Sequence, residues 1–152
     1  MNMKRFPLIL LFTLLCSCGI ETFQPVISLA PPLGLKATST NKQILLEFWG
    51  LNSEEYFSGY YIYIYVNQEE LLTKGFVVPD NEGYTNRPTI RANPTTEMTK
   101  FSKWVSYYTN SISAGPLQEG QTYFFVVKAY SDQYNAYGDP SNIADVVYHT
   151  ND

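Results

Sequence analysis

Few residues in this 152-residue chain carry side chains that could do chemistry, and they lie far apart. Its two cysteines, Cys16 and Cys18, are both near the N-terminus, so the rest of the chain has no thiol for a disulfide or a thiolate metal site. His149 is the only histidine, and a lone histidine beside a C-terminus is far more often a surface residue than a general base. No nucleophile elbow, phosphate-binding loop, dinucleotide fingerprint or zinc-ligand spacing occurs. The sequence therefore predicts a protein that is not an enzyme and needs no cofactor.

The carboxylates give one further candidate site. Asp80 and Glu82, in the sequence PDNEG, could ligate calcium through oxygen atoms. No third carboxylate is close to them in sequence, and PDNEG is also a strong turn sequence. We therefore favour a plain turn and predict no metal site.

The N-terminal residues have the pattern of a secretory signal. Lys4 and Arg5 precede the apolar residues 7–15, a run shorter than the roughly 20 residues that span a bilayer. The sequence LCSCG that follows resembles the bacterial lipobox, with an aliphatic residue at −3 and a small residue at −1. The resemblance implies a signal peptide over residues 1–17, with cleavage before Cys18 and a diacylglyceryl thioether on its sulfur. Lipidation of Cys16 would instead place a bulky leucine at −1.

Such an anchor would hold the mature chain on a bacterial membrane. A diacylglyceryl group, together with a fatty acyl chain such as palmitate on the new N-terminus, anchors far more firmly than one short chain. Gly19 stands where an aspartate would resemble an inner-membrane retention signal, which favours the outer membrane. Surface-exposed and periplasmic orientations both stay open. Loss of Lys4 and Arg5 leaves eight basic against fourteen acidic residues, a net charge of −6, which argues against a nucleic-acid partner.

Most of the remaining sequence alternates with a period of two, which indicates β-strands. Residues 117–130, LQEGQTYFFVVKAY, predict a tight corner followed by a long strand rich in aromatic and β-branched side chains. In residues 43–49, QILLEFW, an inward Trp49 would bury Glu47 on the same face, and an unpaired buried carboxylate is costly. We therefore predict that Phe48 points into the core.

Residues 94–104 predict a short helix. Asn93 and Pro94 are typical of a helix start, and apolar side chains recur after them at helical spacing. A strand over residues 104–112 competes for part of the same sequence, and we favour the helix followed by a strand near residues 107–114. The apolar stripe consists of Met98, Phe101, Trp104, Val105 and Tyr108.

Several features recur together in this chain: Pro32 and Leu35, the QILLEFW strand, Gly59-Tyr60, Leu117-Gln118-Glu119-Gly120 with Tyr123 and Ala129, and Gly138 with Ser141. In this order they resemble a fibronectin type III domain, an all-β, immunoglobulin-like Greek-key sandwich. The resemblance places the domain at residues 32–150, after a lipidated tether over residues 18–31. It leaves a long insertion of roughly 30 residues between the middle strands, at about 83–108. A corner of this type bonds its tyrosine hydroxyl to upstream backbone, which we expect of Tyr123.

The resemblance also implies that the strands at residues 59–66 and 122–130 are neighbours in one sheet. Burial of their outward side chains would contribute on the order of 10 kcal/mol, comparable with the net stability of a domain, so we expect the face to be covered. We predict that the apolar stripe of the insertion covers it, which would leave the turns at residues 50–58 and 131–140 as contact loops. The alternative is an open binding face. The candidate binding residues are Tyr61, Tyr63, Tyr65, Phe124 and Tyr130, with Val126 on the same face and Trp49 elsewhere.

These observations predict a non-enzymatic, lipid-anchored envelope protein that acts as a binding or adhesion module through protein–protein contacts. The protein would contact the membrane through its lipid anchor, and the sequence does not identify its protein partner. One alternative is a structural or assembly lipoprotein within the envelope. Another is a carbohydrate-binding accessory domain, because exposed tyrosines and Trp49 could stack on sugar rings. Coplanar aromatic side chains in a groove would favour sugar, and a broad flat patch would favour protein.

Overall fold

The chain folds as an all-β sandwich in the computed structural model, which describes residues 26–40, 42–109 and 114–150. The first sheet is antiparallel and has the order β1-β2-β6. Its strands are β1 (Leu33–Thr40), β2 (Gln43–Gly50) and β6 (Thr99–Val105).

The second sheet has the order β10-β9-β3-β4, with β5 pairing with β3 and β11 pairing with β9. Its strands are β3 (Gly59–Tyr65), β4 (Phe76–Val77), β5 (Ile90–Arg91), β9 (Thr122–Ser131), β10 (Ala136–Pro140) and β11 (Ala144–Val147). The direct pairing of β3 with β9 is the one that the fibronectin type III resemblance implies.

The remaining elements are short. The strands β7 (Tyr107–Thr109) and β8 (Ala114–Pro116) form a two-stranded ribbon. A 3-10 turn (Gln68–Glu70) leads into the one-turn helix α1 (Leu71–Lys74). In the described part of the chain, no helix has the length and apolar composition needed to cross a membrane.

The register of β2 confirms the prediction for Phe48. Its side chain is fully buried, whereas Trp49 is 44% exposed on the opposite face of the sheet. The ring of Phe48 packs 5.1 Å from that of Tyr60 and 5.5 Å from that of Phe101. Glu47 lies on the same side as Trp49 and forms an ion pair there with Lys100. The charge of Glu47 therefore stays out of the core.

The corner before β9 also forms as predicted. The backbone N–H of Gln118 donates a hydrogen bond of 2.9 Å to the hydroxyl oxygen of Tyr123. Gly120 adopts φ +75° inside the turn, and its N–H donates to the carbonyl of Tyr148 at 2.9 Å. The tyrosine thus joins the corner to the long strand that follows it.

The predicted helix over residues 94–104 is wrong. Residues 99–105 form β6, which pairs along its whole length with the free edge of β2. Phe101 faces the core opposite Phe48, and Val105 lies opposite Ile44. Phe101 and Val105 are four residues apart, which would place both side chains on one face of a helix. Because four is an even number, the same spacing also places them on one face of a strand. Part of the predicted insertion is therefore a strand of the sandwich.

The segment before β1 packs against the domain earlier than predicted. Leu29 is buried in the core cluster, and Tyr56 donates a hydrogen bond to the carbonyl of Ser28. Asn52 donates to the carbonyl of Ala30 at 3.2 Å, and the N–H of Ala30 donates to Glu54 at 3.2 Å. Residues 28–30 of the predicted tether are therefore fixed to the sandwich at the end where β2 finishes.

Candidate functional site

The predicted tyrosine surface is covered, but not by the residues that we expected. Tyr61 and Tyr130 are only 5% and 8% exposed, and Tyr63, Tyr65 and Phe124 are half-buried. The stripe on β6 cannot cover them, because β6 belongs to the other sheet. That prediction of the cover is wrong.

Two local elements take the place of the predicted cover. At one end, helix α1 packs on β3 and β9 and buries Leu71 almost completely. At the other end, the ring of Tyr137 from β10 lies 5.5 Å from that of Tyr61 and 4.8 Å from that of Tyr130. Burial and the neighbouring phenols raise the pKa of Tyr61 to about 12. This tyrosine face therefore serves the fold more than it offers an open binding surface.

Both tryptophans lie on the first sheet, on the side that faces away from the core. Trp49 is 44% exposed and Trp104 is 46% exposed. Trp104 pairs with Leu45 and Lys100 pairs with Trp49, so the two indoles share this face and lie roughly 13 Å apart along the strands. Trp49 is the one residue of the predicted binding set that is clearly exposed.

Trp104 lies beside a cleft at the end of β6. A cavity of about 170 Å³ separates residues 78–81 from residues 103–107, and Tyr107 at its rim is 42% exposed. A second cavity of about 300 Å³ continues between residues 80–82, residues 88–91 and β6. We call this region the distal cleft; it comprises Asp80, Asn81, Lys103, Trp104 and Tyr107.

Lys103 is the unexpected residue of the distal cleft. It occupies an inward position of β6, opposite the buried Leu46, and its ammonium group donates a hydrogen bond of 2.9 Å to Asn81. Burial lowers the pKa of Lys103, and the nearby Asp80 offsets part of that shift. A partly desolvated lysine is costly to the fold and is therefore a candidate for binding. Lys103 was missed in the sequence because residues 94–104 were predicted to be helical. Only the alternation of a strand places Lys103 on the same face as Phe101 and Val105.

The turn beside the cleft is held by Asp80. One carboxylate oxygen accepts hydrogen bonds of 2.9 Å from the N–H groups of Glu82 and Tyr84, and the other lies 3.2 Å from Arg87. These backbone bonds, with the Arg87 charge, lower the pKa of Asp80. Arg87 also pairs with Glu82 at 2.7 Å and lies over the ring of Tyr84. The predicted turn at PDNEG is confirmed, because the N–H of Gly83 also donates to the carbonyl of Asp80 at 3.2 Å.

Within the part of the chain that the structure describes, the remaining chemical candidates form no common site. Nδ1 of His149 lies 3.0 Å from a carboxylate oxygen of Glu119, while Ser39 contacts only the main chain of His149. Among the described residues, no group of three or more His, Cys, Asp and Glu side chains could hold a metal ion. Cys18 lies outside the described residues, so its lipidation stays a prediction.

Comparison with known proteins finds similarity among solved structures. An Fn3-like protein from Clostridium thermocellum is 16% identical over 80% of this chain and 95% of its own, with a TM-score of 0.45. A β-1,2-glucanase from Parabacteroides distasonis is 11% identical over 80% of this chain, with a TM-score of 0.45. An α-L-rhamnosidase from Dictyoglumus thermophilum is 11% identical over 81% of this chain, with a TM-score of 0.43. This chain spans only 13% of each of these two glycosidases. No protein-family model and no curated protein matches the chain.

Proposed function

We propose that the chain is a non-enzymatic, lipid-anchored protein of a bacterial envelope that binds another protein through its distal cleft. The observation that carries this proposal is the pair of exposed aromatic side chains, Trp104 and Tyr107, beside the partly buried Lys103. Tryptophan and tyrosine dominate the energetics of protein interfaces, where they are surrounded by polar groups that exclude water. The distal cleft combines both kinds of group.

The direction of β6 supports this assignment. The chain reaches the sandwich at Ala30, which is held by Asn52 just beyond the end of β2. Thr99 lies at that same end because it pairs with Gly50. Trp104 lies five residues further along β6, or about 17 Å away. A lipid on Cys18 would therefore tether the domain by one end and leave the distal cleft at the other.

The area of the outward face of the first sheet limits how tightly a partner could bind to that face alone. Three strands of about seven residues present on the order of 300 Å² on one side, whereas a stable interface buries about 800 Å² on each partner. A partner that binds tightly would therefore also contact the turn at residues 79–84 and the β7–β8 ribbon. One that touches the sheet alone would bind transiently.

A carbohydrate ligand is the second candidate. The 300 Å³ cavity places Asp80, Asn81 and Ser102 within one recess, and a pocket of that volume reaches the lower bound for small-molecule sites. Asp80 and Asn81 also line the neighbouring 170 Å³ cavity that Trp104 borders, and hydrogen-bonding side chains near an exposed indole suit a sugar ring as well as a peptide. Retention of the purified protein on a glycan array, with loss of retention in Trp104→Ala, would favour this candidate.

Site-specific photo-crosslinking in the producing bacterium tests the protein partner. A p-benzoylphenylalanine residue in place of Tyr107 should give one discrete cross-linked species that disappears when Trp104→Ala is added. Tyr134 is 41% exposed at the opposite end and provides the matched control position. The same species from both positions, or one that persists in Trp104→Ala, would contradict the proposal.

The orientation of the module in the envelope needs its own measurement. Protease added to intact cells should degrade the protein if it is displayed on the surface. Protection until the outer membrane is opened would assign it to the periplasm and favour a structural or assembly role among envelope proteins.

A further inference from the structure

One corner of the sandwich carries four large apolar side chains that remain exposed. The exposed fractions are 52% for Leu33, 44% for Trp49, 40% for Leu51 and 48% for Met98. All four belong to the first sheet or to the residues directly beyond its strands. We call them the proximal patch.

The strand register makes the proximal patch continuous. Leu33 pairs with Trp49 across β1 and β2, and Gly50 pairs with Thr99 across β2 and β6. Leu51 and Met98 follow directly at the ends of these paired segments. The alternation persists there, because Gly50 is buried and Leu51 exposed. The four side chains therefore occupy one corner of the outward side of the sheet.

This corner lies where the chain enters the sandwich. The hydrogen bonds of Asn52 and Glu54 fix Ala30 beside it, and Tyr56 fixes Ser28. Ser28 lies ten positions after Cys18, and ten residue steps span at most about 33–36 Å. A lipidated Cys18 would thus keep this corner within that distance of the membrane.

We propose that the proximal patch rests on the lipid surface beside the anchor and so sets the orientation of the domain on the membrane. The inference rests on the lipid anchor of the proposed function. An indole is suited to the bilayer interface, since it combines a large apolar ring with one polar N–H group. Leucine and methionine side chains add apolar area around it.

The charges around the patch define the lipid chemistry. Lys100, the residue paired with Trp49, forms an ion pair with Glu47, and the exposed Lys36 lies opposite Glu47 on β1, so this side of the sheet carries two lysines and one carboxylate near the patch. Glu55 and Glu97 lie in the adjoining loops and are exposed. The charges around the patch therefore nearly balance, so the contact should form on zwitterionic headgroups and tolerate salt, because apolar burial drives it.

The two tryptophans provide matched reporters for the test. The lipidated protein would be reconstituted in phosphatidylcholine–phosphatidylethanolamine vesicles with brominated acyl chains. Trp104→Phe leaves Trp49 as the only indole, and Trp49→Phe leaves Trp104. We expect Trp49 to be quenched at least several-fold more strongly than Trp104. Equal quenching, stronger quenching of Trp104, or no quenching of Trp49 would overturn the inference.

Substitutions separate the patch from the anchor. In the Trp104→Phe background, Leu33→Ser with Met98→Ser should reduce the quenching of Trp49 while the protein still cosediments with vesicles. Leu72→Ser is the control, because Leu72 is 54% exposed at the opposite end, and it should change nothing. Phosphatidylglycerol in the vesicles should not strengthen the quenching, because the charges around the patch nearly balance. A protein that fails to cosediment would refute the anchor and this inference together, whereas cosedimentation without quenching of Trp49 would refute the inference alone.

Discussion

The hydroxyl group of Tyr60 donates a hydrogen bond of 2.9 Å to the side-chain oxygen of Asn52, and both residues are fully buried. The amide nitrogen of Asn52 donates in turn to the carbonyl of Ala30 at 3.2 Å and to Glu54 at 3.3 Å. One asparagine therefore connects the aromatic core to the segment through which the chain reaches the domain. Burial raises the pKa of Tyr60 above its ordinary range, so this donor keeps its proton at any physiological pH.

Replacement of Asn52 by alanine should destabilise the domain by about 1–3 kcal/mol, because the buried hydroxyl of Tyr60 loses its acceptor. The free energy of unfolding in urea measures the change. Tyr60→Phe is the matched control, since it removes the donor. Asn52→Ala should cost less in the Tyr60→Phe background than in the parent protein. Equal costs in the two backgrounds would show that the hydrogen bond contributes nothing.

The sequence was sufficient for features that depend on neighbours within one strand or turn. Glu47 determined the prediction for β2, because an unpaired carboxylate is stable on the outward face of the sheet and costly on the core face. Phe48, the next residue, accordingly lies in the core. The corner at Tyr123 was predictable for a similar reason, because its hydroxyl bonds to Gln118, five residues upstream.

Features that depend on distant pairing were not predictable in this way. Phe101 and Val105 satisfy helical and strand periodicity equally, and the free edge of β2 decides between them. Tyr137 covers the tyrosine face from β10, where the sequence shows only a polar loop. The distal cleft was missed for the same reason, since Lys103 reaches Asn81 across 22 residues of sequence.

Truncation of adjacent residues in β2 should give very different losses of stability. Phe48→Ala should cost about 3–5 kcal/mol, because it leaves a cavity between Tyr60 and Phe101. Trp49→Ala should cost much less, because its indole is 44% exposed. Urea unfolding of both variants measures the difference, and the reverse ranking would contradict the register.

Cys18 should be the lipid-bearing residue. Mass spectrometry of the mature protein should find an N-terminal cysteine with thioether-linked diacylglycerol, because the spacing LCSCG places the small serine at −1. Cys18→Ser should release the protein from membranes, and the control Cys16→Ser should leave it anchored. An unmodified N-terminus, or one that begins elsewhere, would disprove the assignment.

The tyrosine face should make the protein labile in alkali. An unfolded chain ionises its tyrosines near pH 10, whereas burial holds the proton on Tyr61 until about pH 12. The folded state then binds more protons than the unfolded state across that window, so the free energy of unfolding falls as the pH rises through it. Below about pH 10 the contribution is fully present.

The pH dependence of urea unfolding in Tyr61→Phe tests this account. The variant should lose stability less steeply between about pH 10 and pH 12 than the parent protein, because position 61 no longer carries a proton that the unfolded chain releases first. Tyr134→Phe is the control, since Tyr134 is 41% exposed and should leave the slope unchanged. If Tyr61→Phe declines as steeply as the parent, the packing of Tyr137 against Tyr61 and Tyr130 does not hold these phenols protonated, and the face is more open to water than the structure shows.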